Sequence, residues 1–105
     1  MYEPVVGIDP STKKLAIAIT TSMLQPQPDL HVIPIPEDLT LTEACGHVAH
    51  ELGKILYQYS RDTVTPSIYL EAPAQGMAGV KVTVMHAFID GAIMSAAYEY
   101  RCPVE

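Results

Sequence analysis

Val5-Val6-Gly7-Ile8-Asp9-Pro10-Ser11-Thr12-Lys13-Lys14, followed at once by Leu15-Ala16-Ile17-Ala18-Ile19, is the stretch from which the rest of the chain can be read. A short apolar run ends in an aspartate, a polar turn led by proline follows, and a second apolar run begins. The pattern predicts a buried strand from Val5 to Asp9, a tight turn, and an antiparallel return strand from Leu15 to about Thr21. Asp9 is the unusual residue. A carboxylate at the inner end of a buried strand is costly unless a cation, a phosphate-bound metal or a hydrogen-bond network meets it.

Further along, Gln25-Pro26-Gln27-Pro28-Asp29 breaks regular structure and marks a surface loop. His31 to Ile35 reads as a third strand, and Pro34, which has no amide hydrogen for a ladder, places it at an edge. A helix is expected to begin near Thr42, because Thr40 and Glu43 have the spacing of a capping box. Its apolar stripe runs through Cys45, Val48, Ala49, Leu52, Ile55, Leu56 and Tyr59, with Arg61 suited to the negative helix end. After Pro66, Ser67 to Glu71 reads as a fourth strand, again ending in a carboxylate. A loop containing Pro73, Gly76 and Gly79 leads to a second helix over about Val80 to Tyr98, and Arg101 to Glu105 looks like the opening of a fifth strand.

The chain of 105 residues has room for one domain, 1–105, around one core. Its hydrophobic fraction of 49% and charged fraction of 17% suit a compact α/β domain and exclude disorder. No apolar run approaches the roughly 20 residues that span a bilayer, and no basic-then-apolar leader opens the chain, so a cytoplasmic protein with no membrane partner is expected. Cys45 and Cys102 lack ligand spacing and are expected as buried free thiols in a reducing compartment. The net charge of −6 is unfavourable for a surface that must hold nucleic acid by itself.

The element order implies a mixed sheet flanked by helices, an antiparallel hairpin plus edge strand followed by parallel strands. A right-handed crossover lets the fourth strand lie parallel to the first, which would bring Asp9 and Glu71 to the same rim. Two carboxylates there suit a hard divalent cation, since Mg²⁺ takes one or two protein carboxylates with waters and phosphate oxygens. The competing local reading has Asp9 capping the turn through the Ser11 and Thr12 amides, with Glu71 as a strand-end surface residue.

Val6-Gly7-Ile8-Asp9-Pro10-Ser11-Thr12 resembles the first motif of the RuvC-type Holliday-junction resolvases of the RNase H-like superfamily. Ile68-Tyr69-Leu70-Glu71 resembles their second motif. Asp90 to Ala97, with Cys102-Pro103-Val104, is similar to their next helix and strand. The resemblance implies an RNase H-like fold, truncated after the fifth strand, and a Mg²⁺- or Mn²⁺-dependent endonuclease acting as a homodimer on DNA four-way junctions. It implies Asp9 and Glu71 as catalytic metal ligands. The family's further acidic ligands have no counterpart here, so the resemblance also implies a C-terminally incomplete domain. Its stacking aromatic after the glutamate is replaced by Ala74, with Met77 offering apolar surface for DNA. Lys13, Lys14 and Lys81 are the expected phosphate contacts near that rim.

Other clusters have blander explanations. Glu43, His47, His50 and Glu51 fit a hydrated helix face better than a zinc site. His86 and Asp90 fit a surface pair better than a proton shuttle. Gly91, Ala92, Ser95 and Ala96 form a small-residue face for close packing, on the sheet or on a twin helix. An actin-like ATPase, another RNase H-like nuclease and a non-catalytic DNA-binding or dimerisation module are the alternative functions.

Overall fold

A computed structural model describes residues 3–22, 24–60, 64–71 and 80–105. Strands β1 (Val5–Pro10), β2 (Lys14–Thr20), β3 (Asp29–Pro34) and β4 (Ser67–Leu70) form one mixed sheet in the order β3-β2-β1-β4. The hairpin pairs β1 with β2 antiparallel, β3 adds antiparallel to β2, and β4 lies parallel to β1. This is the expected RNase H-like arrangement, and β3 is the edge strand that Pro34 requires. The third strand begins two residues earlier than its alternation suggests, at Asp29.

The fifth strand is present as a single parallel bridge. Val104 pairs with Ile68, fastened by the Ile68 amide to the Pro103 carbonyl and the Glu105 amide to the Ile68 carbonyl, both 2.8 Å.

Helix α1 (Leu41–Tyr59) starts where Thr40 and Glu43 close a reciprocal capping box. The Glu43 amide donates to Thr40 Oγ1 at 3.2 Å and the Thr40 amide to Glu43 Oε1 at 2.9 Å. Arg61 and the loop after Glu71 lie outside the described residues. Helix α2 (Val80–Glu99) ends on Arg101, whose φ of 57° is left-handed. The Cys102 amide reaches the Ala97 carbonyl at 2.8 Å and the Arg101 amide the Tyr98 carbonyl at 3.1 Å. That pair of bonds satisfies the last free carbonyls of the helix, a job usually given to glycine.

Both helices pack on one face of the sheet. The core joins Val6, Ile8, Leu15, Ile17, Ile19 and Ile68 of the strands to Val48, Leu52, Leu56, Ile89 and Ile93 of the helices. Helix α1 comes close enough to the chain end that a Cβ on Gly53 would meet the Tyr100 ring at 3.0 Å. The small-residue face of α2 divides: Ala92 and Ala96 are buried in the core, while Gly91 and Ser95 are exposed. Both thiols are free, Cys102 buried and Cys45 only half-buried. No described helix is long and apolar enough to cross a membrane.

Candidate metal-binding rim

Strict alternation decides which side chains reach the rim. Val6, Ile8 and Pro10 of β1 point into the helix-covered side, so Gly7 and Asp9 point to the other. Register carries the alternation across the sheet. Gly7 stands opposite Ala18 and Asp9 opposite Ala16, while Ala18 and Ala16 stand opposite Leu30 and Val32. On the other flank Gly7 is level with Tyr69 and Ile8 with Leu70. The next level pairs Asp9 with Glu71, whose amide donates to the Ile8 carbonyl at 3.0 Å.

Asp9 and Glu71 therefore stand level on neighbouring parallel backbones, which in a sheet are spaced about 4.8 Å, and both border the open face. Both are exposed. The expectation that Asp9 is buried is thus corrected: it occupies the end of a strand whose odd-numbered residues face the open side. Nor does Asp9 cap the turn. Ser11 does so instead, its Oγ accepting from the Lys13 and Lys14 amides at 3.2 and 3.1 Å and donating to the Lys14 carbonyl at 2.9 Å. Among the described residues neither the Asp9 nor the Glu71 carboxylate has a hydrogen-bond or ion-pair partner.

The face they share is a trough of about 540 Å³, floored by Gly7, Ala16 and Ala18 and walled by Leu30, Val32 and Tyr69. Small residues keep its floor low, and large exposed ones raise its sides. Asp9, Glu71 and Glu105 stand on it. Glu105 is level with Tyr69 rather than Glu71, because its neighbour Val104 is level with Ile68. Among the described residues no three acidic, histidine or cysteine groups come close enough to hold one ion.

Lys13 and Lys14 are exposed at the turn beside the carboxylates, and neither is ion-paired among the described residues. Lys14 shares the open side with Ala16, two residues on. The Lys81 side chain and Met77 lie outside the described residues.

The remaining clusters prove structural. Glu51 pairs with Lys54 at 2.7 Å, His47 donates from Nε2 to the Pro34 carbonyl at 2.8 Å, and Glu43 serves the helix cap. Glu43 and Glu51 are held below the usual carboxylate range, Glu43 chiefly by the Thr40 amide and Glu51 chiefly by Lys54. His31 and Tyr59 meet at 3.1 Å, and Tyr59 donates to Asp29 at 3.1 Å, tying the edge strand to the end of α1. Tyr59 is raised, by burial and then by that carboxylate.

His86 Nδ1 and Asp90 Oδ1 are buried without a hydrogen-bond partner. Burial raises Asp90, and nearby His86 opposes the rise. Neither lines the trough, so they give the rim no proton relay.

Sequence reasoning missed three features: the open apolar face, Ser11 as the turn's clasp, and Glu105 beside Tyr69. The large–small rhythm of Leu15-Ala16-Ile17-Ala18-Ile19 is a signal for the first.

This arrangement has close structural parallels. Thermus thermophilus RuvC in complex with Holliday junction substrate superposes with a TM-score of 0.81 at 17% identity, covering 98% of this chain. A second Thermus thermophilus RuvC structure gives 0.72 at 17% identity, covering 96% of this chain. The chain has a RuvC-like fold. It spans 62% and 59% of the lengths of those two proteins. No protein-family model and no curated protein sequence matches the chain.

Proposed function

We propose that the chain is the RuvC-like part of a metal-dependent endonuclease for DNA four-way junctions, with Asp9 and Glu71 as catalytic ligands for Mg²⁺ or Mn²⁺. The observation that carries the reading is the pair itself: adjacent parallel backbones, one direction, open access and no partner among the described residues. A carboxylate pair of this kind fits an ion that completes its shell with water and phosphate oxygens. A divalent ion there would activate water and neutralise charge at the phosphate. Asp9 and Glu71 would hold that ion at the ends of neighbouring strands, and Ser11 closes the turn that follows Asp9. Lys13 and Lys14 place positive charge beside the rim, where a chain of net charge −6 would otherwise repel phosphates. Lys81 and Met77 belong to the same proposed DNA-facing edge, and the active form is a homodimer in the cytoplasm.

The absence of a third described ligand argues for weak metal binding and little cleavage by these 105 residues alone. Titration calorimetry with Mn²⁺ tests the site: heat from the wild type and none from Asp9→Asn is expected. No heat from either would favour a DNA-binding module without catalysis. Symmetric nicking of a four-way junction that survives both Asp9→Asn and Glu71→Gln would remove site and mechanism together.

A further inference from the structure

We propose that the open face of the sheet seats a nucleobase beside Tyr69, with the Tyr69 ring as its stacking surface. The proposal rests on the reading of Asp9 and Glu71 as a metal site, which would anchor the neighbouring phosphate, and adds a base subsite to it.

The open face is laid out in rows two residues apart along the strands, about 6.6 Å. Lys14 stands at the outer end, on the same side as Ala16. The next row sets Val32, Ala16 and Asp9 level, with Glu71 beyond them. The row after it sets Leu30, Ala18, Gly7 and Tyr69 level, with Glu105 beyond. Leu30 and Tyr69 thus bound a floor of two small residues. Their backbones are three strand spacings apart, about 14 Å.

Tyr69 is 52% exposed, on the side of β4 opposite the buried Ile68. An exposed aromatic ring on an open sheet is the platform on which splayed, single-stranded bases stack. The floor beside it is kept empty by Gly7. A Cβ there would meet only the Ala18 carbonyl, at the ordinary contact distance of 3.9 Å. Packing within the fold therefore does not demand glycine at this position, and its missing side chain leaves room for a ligand.

Charge sets the direction in which a nucleotide lies. Lys14 attracts phosphate to the outer end, and a divalent ion on Asp9 and Glu71 would hold it there. Among the described residues the Tyr69 row carries one charge, Glu105, which repels phosphate and admits a neutral base. A nucleotide is anionic at one end and flat, neutral and aromatic at the other. The two rows match it in that order, one row for each end.

The test is a fluorescence titration of the purified chain into a short single-stranded oligothymidylate interspersed with 2-aminopurine, in Mg²⁺, since stacking quenches that analogue. The wild type is expected to quench it. Tyr69→Leu is expected to weaken binding roughly tenfold and to abolish the quenching, while Tyr69→Phe, which keeps the ring, retains both. Gly7→Val fills the floor without conflict inside the fold and is expected to act as Tyr69→Leu does, with circular dichroism and melting native. Tyr57→Leu, at a ring 73% exposed on α1, should keep the wild-type curve. A wild type that causes no quenching, as for a trough that takes a protein segment, overturns the proposal. So does a folded Tyr69→Leu or Gly7→Val protein with the wild-type curve, and so does equal loss in Tyr57→Leu. Asp9→Asn separates the two readings. Binding lost in Asp9→Asn but unchanged in Tyr69→Leu keeps the metal site and overturns the base seat. Binding lost in Tyr69→Leu but unchanged in Asp9→Asn supports the base seat and removes the metal site.

Discussion

The two sides of the sheet are built from the same strands and have opposite character. On the covered side Val6, Ile8, Leu15, Ile17, Ile19 and Ile68 are at most 2% exposed. On the open side the same strands present Gly7, Ala16 and Ala18 in a low floor, with Leu30, Val32 and Tyr69 exposed and two carboxylates at the end. One side is filled to hold the fold, and the other is kept low and accessible. Because strand side chains alternate, neither pattern can shift by one residue without exchanging the two sides. The position of Asp9 follows from the burial of Ile8.

That contrast predicts very unequal costs for comparable truncations. Ile17→Ala removes a side chain buried in the core and should cost about 2–5 kcal/mol in denaturant unfolding. Val32→Ser, on a residue 59% exposed, should stay within about 0.5 kcal/mol. Equal losses at the two positions would mean that something covers the open side in solution. The comparison would then fail.

Much of this was legible in the sequence, for physical reasons that differ by element. The hairpin, the edge strand and the parallel fourth strand follow from apolar runs, from Pro34 and from handedness. The adjacency of Asp9 and Glu71 follows from those in turn. The burial of Asp9 was misjudged because an apolar run with an aspartate at its end does not announce which parity faces the core. Only the register with Leu15, Ile17 and Ile19 does that. The competing reading, in which Asp9 clasps the turn, arises because aspartate and serine both accept amide hydrogens, and geometry gives the role to Ser11. The left-handed Arg101 has no local signal, since glycine or asparagine is the usual residue there. Lone polar atoms such as Asp90 Oδ1 depend on packing that no single sequence displays.

A smaller effect sharpens how the covering layer is attached. Thr40→Ala removes the acceptor for the Glu43 amide and should cost about 1 kcal/mol. Its pH dependence has a definite sign. Glu43 is held below its usual range by Thr40, so its share of the cap is present above that range and is lost as the pH falls through its depressed value. Thermal melts of wild type and Glu43→Gln, which removes the titrating carboxylate, should therefore converge in acid. Parallel melts at every pH would show that the box closes without the charge on Glu43.

The smallest expected effect compares one kind of residue on the two sides. Asp9 is exposed on the open face, whereas Asp90 is half-buried in the covering layer with Oδ1 lacking a partner. Burial raises Asp90, against the pull of His86, so the folded chain holds its proton more tightly than the unfolded chain. Stability then falls as the pH rises from the ordinary aspartate range through the raised value, and the deficit persists above it. Asp90→Asn abolishes that titration. Its melting temperature should exceed the wild type's by a few degrees at neutral pH, with the difference disappearing near about pH 3, where both forms are uncharged. An Asp90→Asn protein that melts at or below the wild type at neutral pH would show that the carboxylate has a partner in solution. The charge in the covering layer would then be a structural asset.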